Sequence, residues 1–291
     1  MSPGAMQIQT PAGWVNGDRT GLIDSGDRGL QFGDGVFETL RIHDGVACYW
    51  ARHRRRLQAG CQRLGIADVD YDGLDGEVRA RAREAGNAVL KIIVTRGSGG
   101  RGYRADQVRQ SNRIMRLSPL PEPPRAAAEQ GIRTRLCGLR LAIQPALAGI
   151  KHLNRLEQVL ARREWSDPAI AEGLLLDQQG RLVEGTMSNL FLVRDGELLT
   201  ADLSDCGVAG ILRSVIIDQA AAGQLVCRRL ALATDDLATA DEAFVCNSLI
   251  GIWPVTRVAG VAELRVGPVT RRLQQVLADR MTDDSSNWYA Q

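Results

Sequence analysis

Lysine is almost absent from this chain. Of 36 lysines and arginines, only Lys91 and Lys151 are lysines. A guanidinium stays protonated and cannot act as an amine nucleophile, whereas a lysine in a desolvated position can. Chemistry that needs a side-chain amine is therefore restricted to two positions. Lys91 lies inside the apolar segment 88–95, and we interpret it as structural.

Histidine and clustered cysteine are also lacking. The chain has three histidines, and its six cysteines are scattered without CxxC or Cys/His spacing. This leaves little material for a zinc site, a histidine-rich metal site or a histidine-based triad, so we expect no metal. Dispersed thiols suit a reducing compartment, and we expect a cytoplasmic protein.

Strong net charge and long apolar runs are missing as well. The net charge is +2, which does not predict a nucleic-acid partner. No apolar run approaches the roughly 18 residues of a membrane-spanning helix. With 44% apolar and 24% charged residues, the composition is that of a globular protein, and we expect neither nucleic acid nor membrane as a partner.

Alternating strand and helix signals indicate a mixed α/β (α+β) fold. In the first part we predict strands at 14–15 and 35–42 before Asn-Gly and Asp-Gly turns, helices at 53–64 and 74–85, and a strand at 88–95. In the second part we predict a strand at 131–136, an irregular stretch to 150, a helix at 154–165, strands at 172–177 and 190–194 around a Gln179-Gly180 turn, a helix after the loop 207–210, and a last strand at 242–246.

A proline-rich segment separates the two parts. Residues 118–124 contain four prolines, which exclude a regular helix or a central strand. We predict a smaller N-terminal α/β domain at 1–118, a linker at 119–130 and a larger C-terminal α/β domain at 131–291.

Three features of the second part could carry chemistry together. Lys151 follows an apolar run, where desolvation favours a neutral amine, although a lysine at a helix start commonly extends to solvent. Glu184 precedes an apolar strand and could hold a cofactor ring nitrogen protonated, or be an exposed strand-end carboxylate. The loop 207–210 opens a helix whose N-terminus would favour a phosphate, although many loops with no such role also carry two glycines. An amine, a ring-nitrogen partner and a phosphate cradle are the parts of a pyridoxal-phosphate site.

The sequence resembles the fold-type IV pyridoxal-phosphate enzymes, which include branched-chain and D-amino-acid aminotransferases and aminodeoxychorismate lyases. The segment 27–39 is similar to the opening signature of that family, and 53–57 matches its H-x-x-R-L. The resemblance implies a two-domain fold-type IV architecture, pyridoxal 5'-phosphate as cofactor, and a homodimer. The matching positions are Lys151 for the Schiff-base lysine, Arg56, Ile211, Leu212 and Ser248 for the cofactor phosphate, and Glu184 for the pyridine nitrogen.

Two segments resemble the lyase branch in particular. The loop 96–103, RGSGGRGY, is similar to a loop of the lyases, and Tyr103 stands where D-amino-acid aminotransferases carry a histidine. The segment 149–158, GIKHLNRLEQ, lacks the tyrosine that aminotransferases place after the lysine. The resemblance implies elimination from 4-amino-4-deoxychorismate to give 4-aminobenzoate and pyruvate, with an aminotransferase as the alternative. The substrate candidates are Arg96, Arg101, Tyr103 and Asn247.

Overall fold

The computed structural model describes residues 13–105, 108, 110–121 and 125–280. They fall into two compact units that divide after Pro121. Part of the expected linker, residues 122–124, lies outside the described residues. Each unit is built on its own sheet.

The first unit is an antiparallel sheet with helices. Its elements are β1 (Gly13–Val15), β2 (Asp18–Arg19), α1 (Arg28–Phe32), β3 (Gly35–His43), β4 (Val46–Ala47), α2 (Trp50–Leu64), α3 (Tyr71–Ala85), β5 (Ala88–Thr95) and β6 (Asn112–Ser118). The strand order is β2-β1-β6-β5-β3-β4, with every pair antiparallel. Both residues of the Asn16-Gly17 and Asp44-Gly45 turns have positive φ, as two-residue hairpins require. The strands and helices expected here are confirmed, and both helices begin three residues earlier than predicted.

Part of the core of the first unit lies between β3 and α2. Alternate side chains of β3 are buried, so Glu38 shares the inner face with Leu40 and Ile42. Helix α2 buries His53 and Leu57 on the side that contacts β3. A carboxylate among apolar side chains is costly unless it is paired, so the partners of Glu38 must come from α2.

The second unit contains a sheet that closes on itself. Its elements are α4 (Arg125–Gln130), β7 (Ile132–Leu141), α5 (Leu156–Arg162), β8 (Ile170–Asp177), β9 (Leu182–Gly185), β10 (Asn189–Arg194), β11 (Glu197–Ala201), α6 (Ile211–Ala222), β12 (Cys227–Leu230), α7 (Thr234–Ala238), β13 (Glu242–Asn247), β14 (Gly251–Val258), β15 (Ala262–Glu263) and α8 (Pro268–Arg280). The strand order is β12-β11-β10-β13-β14-β7-β8-β9, β15 pairs with β14, and β9 also pairs with β10. That last pairing joins the two ends of the path β10-β13-β14-β7-β8-β9 into a ring.

Several predictions for the second unit were wrong in detail. Strand β7 continues to Leu141 where an irregular stretch was expected, because a register shift between Leu136 and Arg140 interrupts its alternation. Strand β9 was missed because four buried residues give no periodic signal. The strand at 242–247 is not the last, since β14 and β15 follow it. Helix α5 is shorter than the predicted 154–165, and residues 125–130 of the expected linker form α4.

Packing inside the second unit places α6 against the sheet. Its side chains Leu212, Val215, Ile216 and Ala220 are all buried, as their helical spacing predicted. All six cysteines are free thiols. Among the helices of the described chain, none is both long enough and apolar enough to cross a membrane.

Candidate active site

The backbone around Lys151 is tied to the loop 207–210. Gly149 and Val208 form a parallel bridge, with Gly149 N donating to Gly207 O at 2.9 Å and Ala209 N donating to Gly149 O at 3.1 Å. Gly149 and Gly207 both have positive φ, at 77° and 83°, which favours glycine. Lys151 is half-buried two residues after this bridge. The loop therefore fixes where the lysine leaves the backbone.

Glu184 binds the same loop from the other side. It lies on β9, and Val208 N donates to its Oε2 at 2.8 Å. The residue is 4% exposed. Burial raises the pKa of Glu184 to about 7, although the Val208 N–H and the positive charges of Arg155 and Lys151 act in the opposite direction. The alternative of an exposed strand-end carboxylate is thus wrong.

The loop ends at the start of α6. Gly210 is the N-cap residue of the helix and has no side-chain cap, and the first turn holds no acidic residue. Ile211 and Leu212 are the first two helical residues, where amides have no acceptor within the helix. A Cβ at Gly210 would overlap Oδ1 of Asn189, whose Nδ2 donates to Val208 O at 2.9 Å. A helix N-terminus with no side-chain cap and no acidic residue in its first turn suits an anion.

A second turn in this unit is held by Asn247. Its Oδ1 accepts from Leu249 N at 2.8 Å and Ile250 N at 3.0 Å, and its Nδ2 donates to Met187 O at 3.0 Å. Ser248 is half-buried inside this turn. The Asn247 side chain is therefore engaged with the backbone, while its assignment to the substrate stays a prediction.

Glu172 on β8 was not predicted as a site residue. Its carboxylate is 1% exposed and accepts from Thr186 Oγ1 at 2.5 Å, Ser188 Oγ at 2.7 Å and the amides of Thr186 and Met187. The Met187 carbonyl of the same turn accepts a hydrogen bond from Asn247 Nδ2. Glu172 thus fixes the turn between Glu184 and β10, and a single glutamate in an apolar strand gave no sign of this.

Arg56 in the first unit is paired with Glu38. Arg56 Nε donates to Glu38 Oε1 at 2.8 Å and Nη2 to Oε2 at 2.5 Å, and His53 Nδ1 lies 2.6 Å from Oε2. Burial alone would raise the pKa of Glu38, but Arg56 and His53 outweigh it and hold that pKa at about 2. The H-x-x-R spacing puts both partners on one face of α2. Glu38 was also missed, although its place in the alternating apolar series of Val36, Leu40 and Ile42 was a usable signal, which Glu172 in the non-alternating β8 lacks.

The loop 96–103 is organised by Asp34. Arg96 donates to Asp34 from Nε at 2.7 Å and to the carbonyls of Leu64 and Gly65 at 2.6 Å, so its guanidinium has protein partners. The buried Arg28, which sequence reasoning missed, donates to Asp34 at 3.0 Å and to the carbonyls of residues 102–104.

The other candidates of this unit face solvent. Arg101 is exposed, and Tyr103 is 87% exposed, with its ring centroid 5.4 Å from that of Phe32 in an edge-to-face arrangement. Lys91 is exposed and lies over the Phe37 ring at 5.1 Å. The Arg96 guanidinium is thus bound within the protein, whereas Arg101 and Tyr103 are exposed. The assignment of these three residues to the substrate stays a prediction.

The residues of the second unit fit a flat cofactor with a basic ring nitrogen and a phosphate. Glu184 is a buried carboxylate that would gain a cationic partner from a protonated ring nitrogen. The N-terminus of α6 would accept the phosphate on the amides of Ile211 and Leu212. Lys151 supplies an amine on the same loop framework. The described residues include no group of three or more side chains arranged to hold a metal ion.

Comparisons with known proteins agree on one family. The model of "Amino-transferase class IV" matches residues 35–258. An aminodeoxychorismate lyase of Vibrio harveyi is 36% identical over 267 residues, which cover 90% of this chain and 97% of the relative. A putative branched-chain-amino-acid aminotransferase of Methanocaldococcus jannaschii is 32% identical over 268 residues, covering 88% and 90%.

Solved structures show the same likeness. The 4-amino-4-deoxychorismate lyase of Pseudomonas aeruginosa superposes with a TM-score of 0.89 at 46% identity, covering 92% of this chain and 98% of that one. The branched-chain amino acid aminotransferase of Escherichia coli superposes with a TM-score of 0.81 at 27% identity, covering 94% and 95%.

Proposed function

The chain belongs to the amino-transferase class IV family, and from this premise we propose that it is a pyridoxal-phosphate-dependent 4-amino-4-deoxychorismate lyase. The resemblance to this family and the mixed α/β architecture of fold type IV are confirmed. The identity of 36% to a lyase over most of both chains, and 46% to a lyase of known structure, favours the lyase within the family.

One observation carries the proposal. The loop 207–210 pairs with the Lys151 segment, donates an N–H to Glu184 and begins α6. A single rigid loop therefore organises an amine, a buried carboxylate and an anion-binding helix end. The proposed cofactor contacts are Lys151, Glu184, Ile211, Leu212, Ser248 and Arg56.

The cofactor, when bound, supplies an electron sink conjugated to the amine of the substrate. Lys151 would hold the cofactor through its Nζ. Once released, that amine would remove the proton from the amine-bearing ring carbon of the substrate, and would later deliver a proton to the methylene carbon of the departing enolpyruvyl group. Glu184 would hold the proton on the ring nitrogen of the cofactor.

The reaction balances without any further reagent. The bond between the ring carbon and the enolpyruvyl oxygen breaks, the ring becomes aromatic, and the two products are 4-aminobenzoate and pyruvate. One proton leaves a ring carbon and one is added to the enolpyruvyl carbon, so no oxidant, water or amino acceptor is consumed. The accessible Arg101 and Tyr103 are our candidates for the substrate carboxylates.

The alternative is an aminotransferase on the same fold, which the identity of 32% to a putative branched-chain enzyme supports. The two activities differ in their need for a keto acid. We therefore propose an assay of pyruvate and 4-aminobenzoate from 4-amino-4-deoxychorismate with no keto acid added. A lyase forms both products in equal amounts, and Lys151→Ala forms neither. Turnover only with an amino acid and a keto acid would contradict the lyase.

A homodimer in the cytoplasm completes the proposal. Leu156, Val159 and Leu160 on α5 are 74%, 53% and 49% exposed, an apolar face that a second copy of the chain would cover. The six free thiols suit a reducing compartment. Light scattering on the purified protein tests the dimer, with Val159→Glu expected to shift the mass toward that of one chain. A monomeric wild-type protein would contradict it.

A further inference from the structure

Arg155 lies at the start of α5 and reaches back over the lysine segment. Its Nε donates to His152 O at 2.9 Å and its Nη2 donates to Ile150 O at 3.5 Å. These two carbonyls belong to the residues immediately before and after Lys151. The segment 150–155 is neither helix nor strand apart from an isolated bridge position at His152, so its backbone groups depend on such local partners.

The guanidinium also belongs to the electrostatic surroundings of the site. Arg155 is half-buried, and its positive charge acts on Glu184 together with that of Lys151. Burial, followed by the charge of Arg155, lowers the pKa of His152 to about 4, so this neighbour of Lys151 is neutral at pH 7. Arg155 is therefore a fixed cation beside the lysine.

We propose that Arg155 is a positioning residue for Lys151, because it holds the carbonyl on each side of the lysine and so fixes the direction in which the amine leaves the backbone. The proposal deepens the proposed function, on which it rests. An arginine suits this task because its planar group carries several donors in a fixed geometry, whereas a lysine ammonium is a single compact charge.

The same helix provides a matched control. Arg162, in the last turn of α5, donates from Nη1 to Trp165 O at 3.0 Å and lies over the Trp165 ring at 4.5 Å. Like Arg155, it binds a backbone carbonyl beyond one end of α5. Its partner is remote in sequence from Lys151, so Arg162→Gln measures what the loss of such an arginine does to the fold alone.

The test compares Arg155→Gln, Arg155→Lys and Arg162→Gln with the wild-type protein. The readouts are the dissociation constant of pyridoxal phosphate, the visible circular dichroism of the lysine-bound cofactor, kcat and KM. For Arg155→Gln we expect cofactor binding about tenfold weaker and kcat lower by about ten- to a hundredfold, with KM nearly unchanged. The circular dichroism should weaken because the cofactor is held less rigidly. Arg155→Lys should recover part of each loss, and Arg162→Gln should match the wild type.

Hydrogen exchange in the cofactor-free protein separates this proposal from the proposed function. Faster exchange at residues 149–153 in Arg155→Gln, but not in Arg162→Gln, supports the positioning role even if the protein binds no cofactor. If hydrogen exchange, circular dichroism and kcat of Arg155→Gln equal those of the wild type, the positioning role is overturned. Absence of pyruvate from the wild-type enzyme would instead overturn the lyase assignment.

Discussion

The buried Glu184 should make the cofactor-free protein less stable as the pH rises. Its pKa in the folded protein is about 7, above its ordinary value of 4.5. Between these two values the folded state keeps a proton that the unfolded state has released. The free energy of unfolding therefore falls as the pH rises through this window, and the full penalty is present above pH 7. The gap of about 2.5 pH units, at about 1.36 kcal/mol for each unit, corresponds to about 3 kcal/mol.

Glu184→Gln isolates this contribution. The amide keeps the size of the side chain and can accept the Val208 N–H through its oxygen, but it does not ionise. We expect the variant to gain about 3 kcal/mol relative to the wild type between pH 4.5 and pH 7. Urea unfolding of the cofactor-free proteins at pH 5, 6, 7 and 8 measures the difference. Glu129→Gln removes an exposed carboxylate and controls for the change in net charge.

If the difference in unfolding free energy between Glu184→Gln and the wild type stays constant across these pH values, the assignment of the pH dependence to Glu184 is refuted. A second comparison tests the proposed partner of Glu184. With pyridoxal phosphate bound, the protonated ring nitrogen would stabilise the carboxylate, so the advantage of Glu184→Gln at pH 8 should disappear. If the variant keeps its advantage with cofactor bound, Glu184 does not face the ring nitrogen.

Three further substitutions test the surroundings of the site. Glu38→Gln should lower the free energy of unfolding by about 3–5 kcal/mol at pH 7, because Arg56 and His53 on α2 lose their buried anionic partner. Urea unfolding should show that this deficit shrinks as the pH falls from 4.5 toward 2, since Glu38 of the wild type becomes protonated there. A deficit that does not change with pH would contradict the pairing. Gly210→Ala should lower the free energy of unfolding by about 1–3 kcal/mol, because its Cβ displaces Asn189, and it should weaken cofactor binding. Gly76→Ala, whose Cβ enters open space on α3, should do neither. Equal cofactor affinity in both variants would refute the close fit at Gly210. In Glu172→Gln, the new side-chain NH2 group would face the hydroxyl and amide donors that the carboxylate now accepts from. The variant should lose about 3 kcal/mol of stability and bind the cofactor more weakly. Unchanged thermal unfolding and cofactor affinity would show that the turn needs no carboxylate.

Local periodicity was enough to predict much of the fold. The hairpin turns, α2, α3, β5 and the buried face of α6 follow from spacing and turn residues that act over a few positions. Strand β9 was not predicted because all of its residues are buried, and the continuation of β7 was not predicted because a register shift interrupts its alternating pattern. Burial on both faces is a property of the assembled sheet and leaves no local pattern.

Some residues of the candidate site could likewise be predicted from the sequence, and others could not. Lys151 could be singled out because lysine is so rare, and Glu184 and Arg56 because motifs of the family match them. The roles of Arg155 and Glu172 could not be predicted, since they depend on side chains meeting backbone groups or turns brought near by the fold. Asp34 was missed for a related reason: it joins Arg28 to Arg96, which lies 62 positions further along the chain.

Lys151 is, in our proposal, the amine that binds the cofactor. The most direct measurement is borohydride reduction of the protein with pyridoxal phosphate, followed by mass spectrometry of its peptides. Because Lys91 is the only other lysine, exposed on β5, it serves as an internal control. We expect a reduced cofactor on the peptide that contains Lys151 and none on the peptide that contains Lys91. Label on Lys91 alone, or on neither peptide, would contradict it.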